Sequence, residues 1–308
     1  YDIAHYLAEQ NCGSFIATSG GDLLRFVKKN KVGIFKLPVH SKNPIMIILN
    51  SLILSLLILI KKINIVHARS RAPAWSCYFA CLMTNTNFVT TFHGTYNFKS
   101  KIKKLTYGIS KPKFNTKLSK DDFMQSNDID PKIFSIGIFS RVEEQKGQHL
   151  VLDAMNMSSN QMQLCIIGHV MSKQYKEELL INAKIYHLTN YLKFINFVDS
   201  PMSYMPFFDL LILPTYEETF GLVAAEAMIM GVPVIGSNAG GVPEIISHGS
   251  NGLLFETKNA SDLSEKIDML YENKTLREQL VSNASEYAYK RYDYDKHFGR
   301  LEEIFDTL

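Results

Sequence analysis

Short apolar runs alternate with longer amphipathic segments along most of the chain. Runs rich in Ile, Val, Phe and Leu predict buried strands, whereas longer segments with apolar residues three and four positions apart predict helices. The predicted strands lie at 14–18, 33–38, 63–67, 87–92, 133–139, 162–167, 192–197, 209–213, 232–236 and 252–256. The predicted helices lie at 43–62, 74–84, 146–157, 172–188, 220–230, 260–272, 274–290 and 295–307. Alternation of this kind predicts parallel sheets of the α/β class.

A polar stretch with few apolar residues divides the chain at 111–132. The length of 308 residues also favours two domains over one. We therefore expect an N-terminal domain at 1–110, a linker at 111–132 and a C-terminal domain at 133–308. Two such α/β units would leave a cleft between them. Ligands of open α/β sheets bind at the carboxyl ends of the strands, so we expect functional residues there.

The most apolar stretch, 44–60, bears on membrane contact. It carries no charge, but it contains Asn50, Ser51 and Ser55 and is followed by two lysines. It is slightly shorter than the ~20 residues of a typical membrane-spanning helix. The pattern favours a buried or membrane-surface helix over a transmembrane one.

The net charge of +3 gives no support to nucleic-acid binding, yet one segment is strongly basic. Positions 99–120 hold eight lysines and no acidic residue. This segment is either a solvated loop or a contact with an anionic membrane surface or acceptor. Four scattered cysteines are too few for a disulfide framework. Together with the lack of signal-peptide features at the start, they lead us to expect a cytoplasmic chain, with peripheral attachment at the inner face of the cell membrane.

Two cations follow the strand predicted at 133–139. Arg141 lies just after the strand, and Lys146 precedes Gly147 at the start of the next helix. A helix N-terminus attracts anions, and an arginine with a lysine can neutralise a diphosphate. Alone, the pair would be an ordinary surface feature. It becomes a site only if a second element converges on it.

The second element follows the strand predicted at 209–213. Glu218 precedes a predicted helix and Glu226 lies about two turns inside it, roughly 12 Å further along the axis. We expect Thr219 to cap this helix and Gly221 to allow close approach of a ligand. Two carboxylates can each accept hydrogen bonds from paired sugar hydroxyls. The alternative is that Glu226 is merely exposed, which its apolar neighbours disfavour.

The stretch EETFGLVAAEAMIMGVPVIGSNAGGVPEIISHGSNGLLF, at 217–255, resembles the hallmark of the retaining glycosyltransferases of family 4. That family has the GT-B fold, in which two Rossmann-like domains face a cleft. Glu218 and Glu226 match its Glu-x7-Glu element, and SRVEEQKG at 140–147 matches its Arg and Lys pair. TFHGTY at 91–96 matches its N-terminal-domain histidine, here His93.

The resemblance implies a role for each matching residue. Arg141 and Lys146 would bind the donor diphosphate, Glu226 the ribose and Glu218 the donor sugar. His93 would face that sugar. The same match implies further donor contacts at Thr219, Phe220, Gly221 and Leu222. The implied reaction transfers a sugar from a nucleotide-diphosphate sugar to a glycan or lipid-linked acceptor, as in surface polysaccharide or lipopolysaccharide synthesis, without a metal or other cofactor.

The chain departs from the family pattern in its first half. The glycine-rich loop near the start and a further strand with helices after His93 are not recognisable, so we expect an incomplete N-terminal domain. A non-catalytic nucleotide-sugar-binding relative is therefore an alternative. A dinucleotide-dependent oxidoreductase is disfavoured because no Gly-x-Gly-x-x-Gly follows a strand. The donor base, the sugar and the acceptor stay open.

Overall fold

The computed structural model describes residues 2–91, 108–109 and 119–307 of the chain. The chain divides into two compact units, Tyr1–Leu105 with Asp295–Leu308, and Thr106–Tyr294. His93 and seven of the eight lysines of 99–120 lie outside the described residues. The predictions made for them therefore stay predictions.

The first unit contains two separate pairs of parallel strands. Strand β1 (Phe15–Thr18) pairs with β2 (Gly33–Lys36), and β3 (Ile65–Ala68) pairs with β4 (Asn87–Thr90). Its helices are α1 (Asp2–Glu9), α2 (Pro44–Lys61), α3 (Arg71–Thr84) and α11 (Tyr294–Asp306), with a 3₁₀ turn at Asp22–Phe26. Most residues of these four strands are only partly buried.

Helix α2 is the most apolar element and begins at a well-formed cap. The Asn43 side chain accepts a hydrogen bond from the Ile45 N–H at 2.9 Å, and Pro44 occupies the first turn. Among the described helices, α2 alone has the length and mean hydropathy, 2.3, of a membrane span, and 22% of it is buried. Leu54 and Ile58 pack on α3, so α2 is neither fully buried nor separate from the fold.

The second unit is built on a six-stranded parallel sheet. Its strands are β5 (Phe134–Phe139), β6 (Met162–Ile167), β7 (Leu192–Ile195), β8 (Leu210–Leu213), β9 (Val234–Ser237) and β10 (Leu253–Phe255). They lie side by side in the order β10-β9-β8-β5-β6-β7. The chain starts in the middle at β5, builds outward to β7, and then returns to the other side of β5. This is the doubly wound order of Rossmann-like domains.

Helices cover both faces of this sheet. They are α4 (Lys120–Ser126), α5 (Gln148–Met157), α6 (Lys173–Ile185), α7 (Pro201–Tyr204), α8 (Leu222–Ile229), α9 (Ala260–Glu272) and α10 (Lys274–Arg291). Short 3₁₀ turns lie at Glu144–Lys146, Thr189–Tyr191, Met205–Phe207 and Val242–Glu244. Alternate strand residues enter two cores: Cys165 and Ile167 pack on the α8 side, Leu164 and Ile166 on the α5 side. Burial on both faces explains the nearly continuous apolar strands.

The ten predicted strands are all present, with ends displaced by at most two residues, and the predicted α/β fold class is confirmed. The domain boundaries differ in two places. The terminal helix α11 groups with the first unit, where Phe298 stacks on Tyr6 at 4.6 Å between ring centroids. The described end of the expected linker, 119–132, forms α4 and groups with the second unit. Two apolar side chains within a polar stretch were too weak a signal to predict that helix.

Helix α4 should therefore contribute to the stability of the second unit. Phe123 is 8% exposed and packs against the rings of Tyr204, Phe207 and Phe208. We expect Phe123→Ala to lower the free energy of unfolding by about 3–5 kcal/mol, measured by urea denaturation. Its exposed neighbour provides the matched control, since Gln125→Ala should change stability by less than about 0.5 kcal/mol. Equal stability of the two variants would mean that 119–132 is only a linker.

Candidate active site

The candidate site lies at the topological switch point of the second unit's sheet, where the chain reverses its direction of winding. The chain leaves β5 toward β6 and leaves β8 toward β9, on opposite sides. The loops that follow these two adjacent strands separate, and a crevice opens at their carboxyl ends. The sequence-predicted residues Arg141 and Lys146 lie in the loop after β5, and Glu218 lies in the loop after β8.

Gly147 holds these two loops together. It has φ of 66°, a left-handed conformation that favours glycine, and it precedes α5. A Cβ atom at this position would lie 2.1 Å from the carbonyl oxygen of Pro214, at the end of β8. Only glycine permits this approach. Next to it, the Tyr216 N–H donates to the Gln145 carbonyl at 3.0 Å.

The contact between the loops brings Lys146 and Glu218 together, 72 positions apart in the sequence. The Lys146 Nζ lies 2.9 Å from the Glu218 Oε2, and the two side chains are 20% and 25% exposed. The Glu218 Oε1 also accepts from the Thr219 N–H at 3.1 Å. The structure thus brings together one cation and one carboxylate from two adjacent loops, both partly desolvated.

A pair of glycines fixes the backbone that carries Glu218. A Cβ at Gly240 would lie 2.0 Å from the Glu218 carbonyl oxygen, and one at Gly241 would lie 2.4 Å from the Thr219 carbonyl oxygen. The Gly241 N–H donates to the Glu218 carbonyl at 2.8 Å. The GSNAGG stretch at 236–241, which lacks the spacing of a dinucleotide motif, therefore packs against the Glu218 loop and fixes its backbone.

Helix α8 begins with backbone N–H groups that no side chain caps. Gly221, with φ of 82°, is its N-cap, and no side-chain hydrogen bond closes the first turn. The prediction that Thr219 caps a helix from Phe220 is therefore wrong, because the left-handed turn at Gly221 delays the helix to Leu222. Uncapped N–H groups and the helix dipole make this end suited to an anion or a sugar hydroxyl.

Glu226 lies in the second turn of α8, between the fully buried Ala225 and Ala227. Its carboxyl group has no ion-pair or hydrogen-bond partner among the residues that the structure describes. Desolvation raises its pKa to about 7, far above the usual range of a glutamate. A half-buried carboxylate without a protein partner has an unmet demand for hydrogen-bond donors, and this sets it apart from an ordinary exposed glutamate.

Arg141 forms an ion pair with Glu143 and not with Glu218. Its guanidinium contacts Glu143 at 2.9 Å, and its side chain is 57% exposed. Because the arginine side chain is largely in solvent, it can exchange Glu143 for another anion. Thr219 is exposed, whereas Phe220 and Leu222 are partly buried beside Gly221.

His149 is a residue of this region that sequence reasoning missed. Its Nδ1 lies 2.8 Å from the Tyr175 hydroxyl, and its Nε2 meets the hydroxyl of Tyr216 in the loop that carries Glu218. Burial lowers the pKa of His149, so the neutral ring can donate to one phenol and accept from the other. The sequence signal that could have identified His149 is its place three positions after Lys146, about one helical turn.

No group of three His, Cys, Asp or Glu side chains within 2–91, 108–109 and 119–307 is placed to hold a metal ion. The positive charge near the crevice comes from Lys146 and Arg141. Whether the reaction needs a metal is a separate question, and metal independence stays a prediction.

Two family models match the chain. Residues 119–287 match Glycosyl transferases group 1, and residues 1–118 match Glycosyltransferase Family 4. The chain is 30% identical over 202 residues to an uncharacterized glycosyltransferase of Methanocaldococcus jannaschii, covering 64% of this chain and 52% of that protein. It is 26% identical over 180 residues to a capsular polysaccharide biosynthesis glycosyltransferase of Staphylococcus aureus, covering 57% and 46%. The chain thus spans about half the length of these curated relatives.

Solved glycosyltransferases share the fold over nearly the whole chain. A glycosyltransferase from Rickettsia africae superposes with a TM-score of 0.91 at 23% identity, covering 99% of this chain and 93% of that one. HepE of Anabaena, solved with UDP-glucose, superposes with a TM-score of 0.83 at 19% identity, covering 100% and 94%. The expected shortening of the N-terminal domain is not confirmed by these similarities. The two family models establish that the chain belongs to the glycosyltransferases of group 1, in family 4, and the solved structures show that it has the GT-B fold.

Proposed function

We propose that the protein transfers a sugar from a nucleotide-diphosphate sugar to a glycan or lipid-linked acceptor, with retention of the anomeric configuration. The observation that carries this proposal is the Lys146–Glu218 pair at the switch point, together with the unpartnered Glu226 in helix α8. The S. aureus relative, named for capsular polysaccharide biosynthesis, supports a role in surface polysaccharide or lipopolysaccharide synthesis.

Each residue has a task that its surroundings suit. Lys146, paired with Glu218 at 2.9 Å, would contact the donor diphosphate through its ammonium group. Arg141 would leave Glu143 and add a second cation. Glu218 would accept from hydroxyls of the donor sugar. The backbone N–H groups at Phe220, Gly221 and Leu222 would donate to phosphate or sugar oxygens, because α8 begins uncapped there.

Glu226 would accept hydrogen bonds from both ribose hydroxyls. Its pKa of about 7 implies that it is only partly ionised at neutral pH. Two hydroxyl donors would stabilise the carboxylate over the neutral acid, which lowers its pKa on binding. Donor binding and loss of a proton are then linked.

The chemical step would be a front-face displacement. The bond between the anomeric carbon and the diphosphate oxygen breaks, the acceptor oxygen attacks on the same face, and the acceptor proton passes to the departing diphosphate. Lys146 and Arg141 would stabilise the negative charge that develops on the leaving group, which is the main electrostatic contribution. His93 would contact the donor sugar and help to position it for the acceptor.

The proposal includes a cytoplasmic location with peripheral attachment to the membrane. A lipid-linked acceptor would be met at the inner membrane face. The apolar helix α2 and the lysines of 99–120 support attachment there.

Binding of UDP-glucose should depend on pH through Glu226. As the carboxyl ionises through a pKa of about 7, the affinity of the unmodified protein should rise about tenfold from pH 6 to pH 8. Glu226→Gln should remove this pH dependence and lower the affinity at pH 8 by about 1.5–3 kcal/mol per lost charged hydrogen bond. Isothermal titration calorimetry measures both effects. Glu217→Gln, at an exposed position in the preceding loop, is the matched control. An unchanged affinity in Glu226→Gln would place the ribose elsewhere.

Donor binding should not require a divalent metal. Because two protein cations are available for the diphosphate, we expect equal UDP-glucose affinity in EDTA and in added Mg²⁺ or Mn²⁺. Lys146→Gln should weaken binding in all of these buffers alike. A loss of binding on EDTA treatment, restored by a metal, would contradict the proposed role of the two cations.

His93→Ala should separate transfer from binding. If the histidine contacts the sugar only as the reactive complex forms, product formation should fall at least about a hundredfold while donor affinity changes less than about threefold. Radiolabelled sugar transfer and calorimetry on the same preparations measure the two quantities. A family member with known transfer activity serves as positive control. Transfer that is undetectable in the unmodified chain, with donor binding intact, would favour the non-catalytic alternative.

A further inference from the structure

Helix α2 carries a continuous apolar stripe on the side away from its packing contacts. Seven of its side chains are between 46% and 75% exposed: Ile45, Ile48, Leu49, Leu52, Leu56, Leu59 and Ile60. With 3.6 residues per turn, they fall within an arc of about 120°. The buried residues Asn50, Ser51, Leu54 and Ile58 occupy the opposite side. The exposure is therefore a property of one helix face.

Helix α3 has a second stripe of the same kind. Five of its side chains are between 42% and 62% exposed: Trp75, Tyr78, Phe79, Leu82 and Met83. The two helices pack side by side through a cluster that includes Leu54 and Cys77. On the flank of the α2 stripe, the Ser55 hydroxyl donates to the Ala80 carbonyl at 3.5 Å. We call the two stripes together the apolar face.

The apolar face is too large for an ordinary protein surface. With each exposed aliphatic or aromatic side chain presenting on the order of 100 Å², its twelve side chains present on the order of 1,000 Å². The largest apolar patch on a typical monomer is about 300–600 Å². A surface of this size marks a docking site for a partner.

Charge and residue type favour a lipid surface as that partner. Positions 43–60 carry no charge, while exposed Lys42 stands before the helix and exposed Lys61 and Lys62 stand at its end. Lysines at both ends of an apolar helix can reach anionic headgroups. Trp75 and Tyr78 are residue types enriched at membrane–water interfaces. A helix that pairs with a second copy usually has charges beside its apolar stripe to set partner and register, whereas α2 carries no charge before Lys61 at its end.

The packing of α2 argues that it lies along the membrane surface and does not cross it. The Asn50 side-chain amide donates to the Pro38 carbonyl at 3.0 Å, and Leu54 and Ile58 are buried in the first unit. Crossing the bilayer would break these contacts and expose polar groups to hydrocarbon. Lying in the interface keeps them and covers the exposed stripe.

We propose that the apolar face of α2 and α3 is the surface by which the first unit docks on an anionic lipid bilayer, with Leu52, Leu56 and Trp75 inserted among the acyl chains and Lys61 and Lys62 at the headgroups. This inference rests on the proposed function in one respect, the lipid-linked acceptor, and it identifies the surface and the residues that would meet the lipid. Docking itself needs no donor and no turnover.

The protein carries its own reporter, because Trp75 is the chain's one tryptophan and is 59% exposed on the apolar face. Addition of mixed phosphatidylglycerol–phosphatidylcholine vesicles should shift its fluorescence to shorter wavelength, and brominated acyl chains should quench it. A spectrum unchanged by vesicles that sediment with the protein would overturn the assignment of Trp75 to the docking surface.

Paired substitutions test the face itself in a vesicle sedimentation assay. Leu52→Glu with Leu56→Glu should weaken partitioning at least about tenfold. The matched control is Leu180→Glu with Ile181→Glu, two exposed apolar residues of α6 in the second unit, which should leave partitioning unchanged. Lys61→Gln and Lys62→Gln should each weaken partitioning onto anionic vesicles about fivefold, and added salt should weaken it further.

Three results would overturn the proposal: equal partitioning of the Leu52/Leu56 variant and the unmodified protein, equal partitioning onto neutral and anionic vesicles, or a concentration-dependent dimer in sedimentation velocity that Leu52→Glu abolishes. UDP-glucose binding, measured on the same preparations, reports on the second unit. Retained nucleotide binding without docking would refute only the lipid surface. Docking without UDP-glucose binding would support the lipid surface and contradict only UDP-glucose as the donor.

Discussion

The close approach of Gly147 to the end of β8 is the constraint on which the candidate site depends. The glycine lies so near the Pro214 carbonyl oxygen that any side chain would push the loops after β5 and β8 apart. Lys146 immediately precedes Gly147, so a shift of this contact would carry its ammonium away from Glu218. Three further features hold the arrangement: the glycine pair at 240–241, the His149 bridge to Tyr216, and the backbone hydrogen bond from Tyr216 to Gln145.

The charged residues of the site differ in whether a protein partner compensates their burial. Lys146 and Glu218 satisfy each other, so their partial burial is compensated within the protein. Glu226 has no partner among the described residues that compensates its charge, and its pKa of about 7 reflects the free-energy cost of desolvating the carboxylate. Because the folded-state pKa is raised, the folded protein holds this proton more tightly than the unfolded chain. The contribution of Glu226 to the free energy of unfolding is therefore greatest at low pH, and it declines as pH rises from the ordinary range of a glutamate toward 7. A ligand that donates hydrogen bonds to Glu226 would offset this cost, as the role proposed for this residue requires.

The two units bury their apolar residues to different extents. In the second unit, strands such as β6 and β8 are buried throughout, between helices on both faces. In the first unit, the strands are mostly half-buried and the most apolar helix exposes much of its surface. The second unit is therefore a continuous packed core, to which the loops of Lys146 and Glu218 are attached. The first unit has an excess of apolar surface, which is the physical basis for assigning it a docking function.

The sequence by itself determined the strands, the fold class and the residues of the switch point. Strands buried on both faces must be continuous apolar runs, and the loops after them stand out by their polar residues and glycines. Only the tertiary structure decided how those loops meet. The pairing of Lys146 with Glu218 depends on the strand order, which places β8 beside β5, and on glycine contacts across the crevice. Neighbours distant in sequence likewise determine three other features. These are the helix of Phe123 and Met124 within a polar stretch, the start of α8 at Leu222, and the burial of Glu226 without a partner in the described part of the chain. Local sequence patterns do not predict such contacts, because burial and charge compensation arise only when the chain is packed.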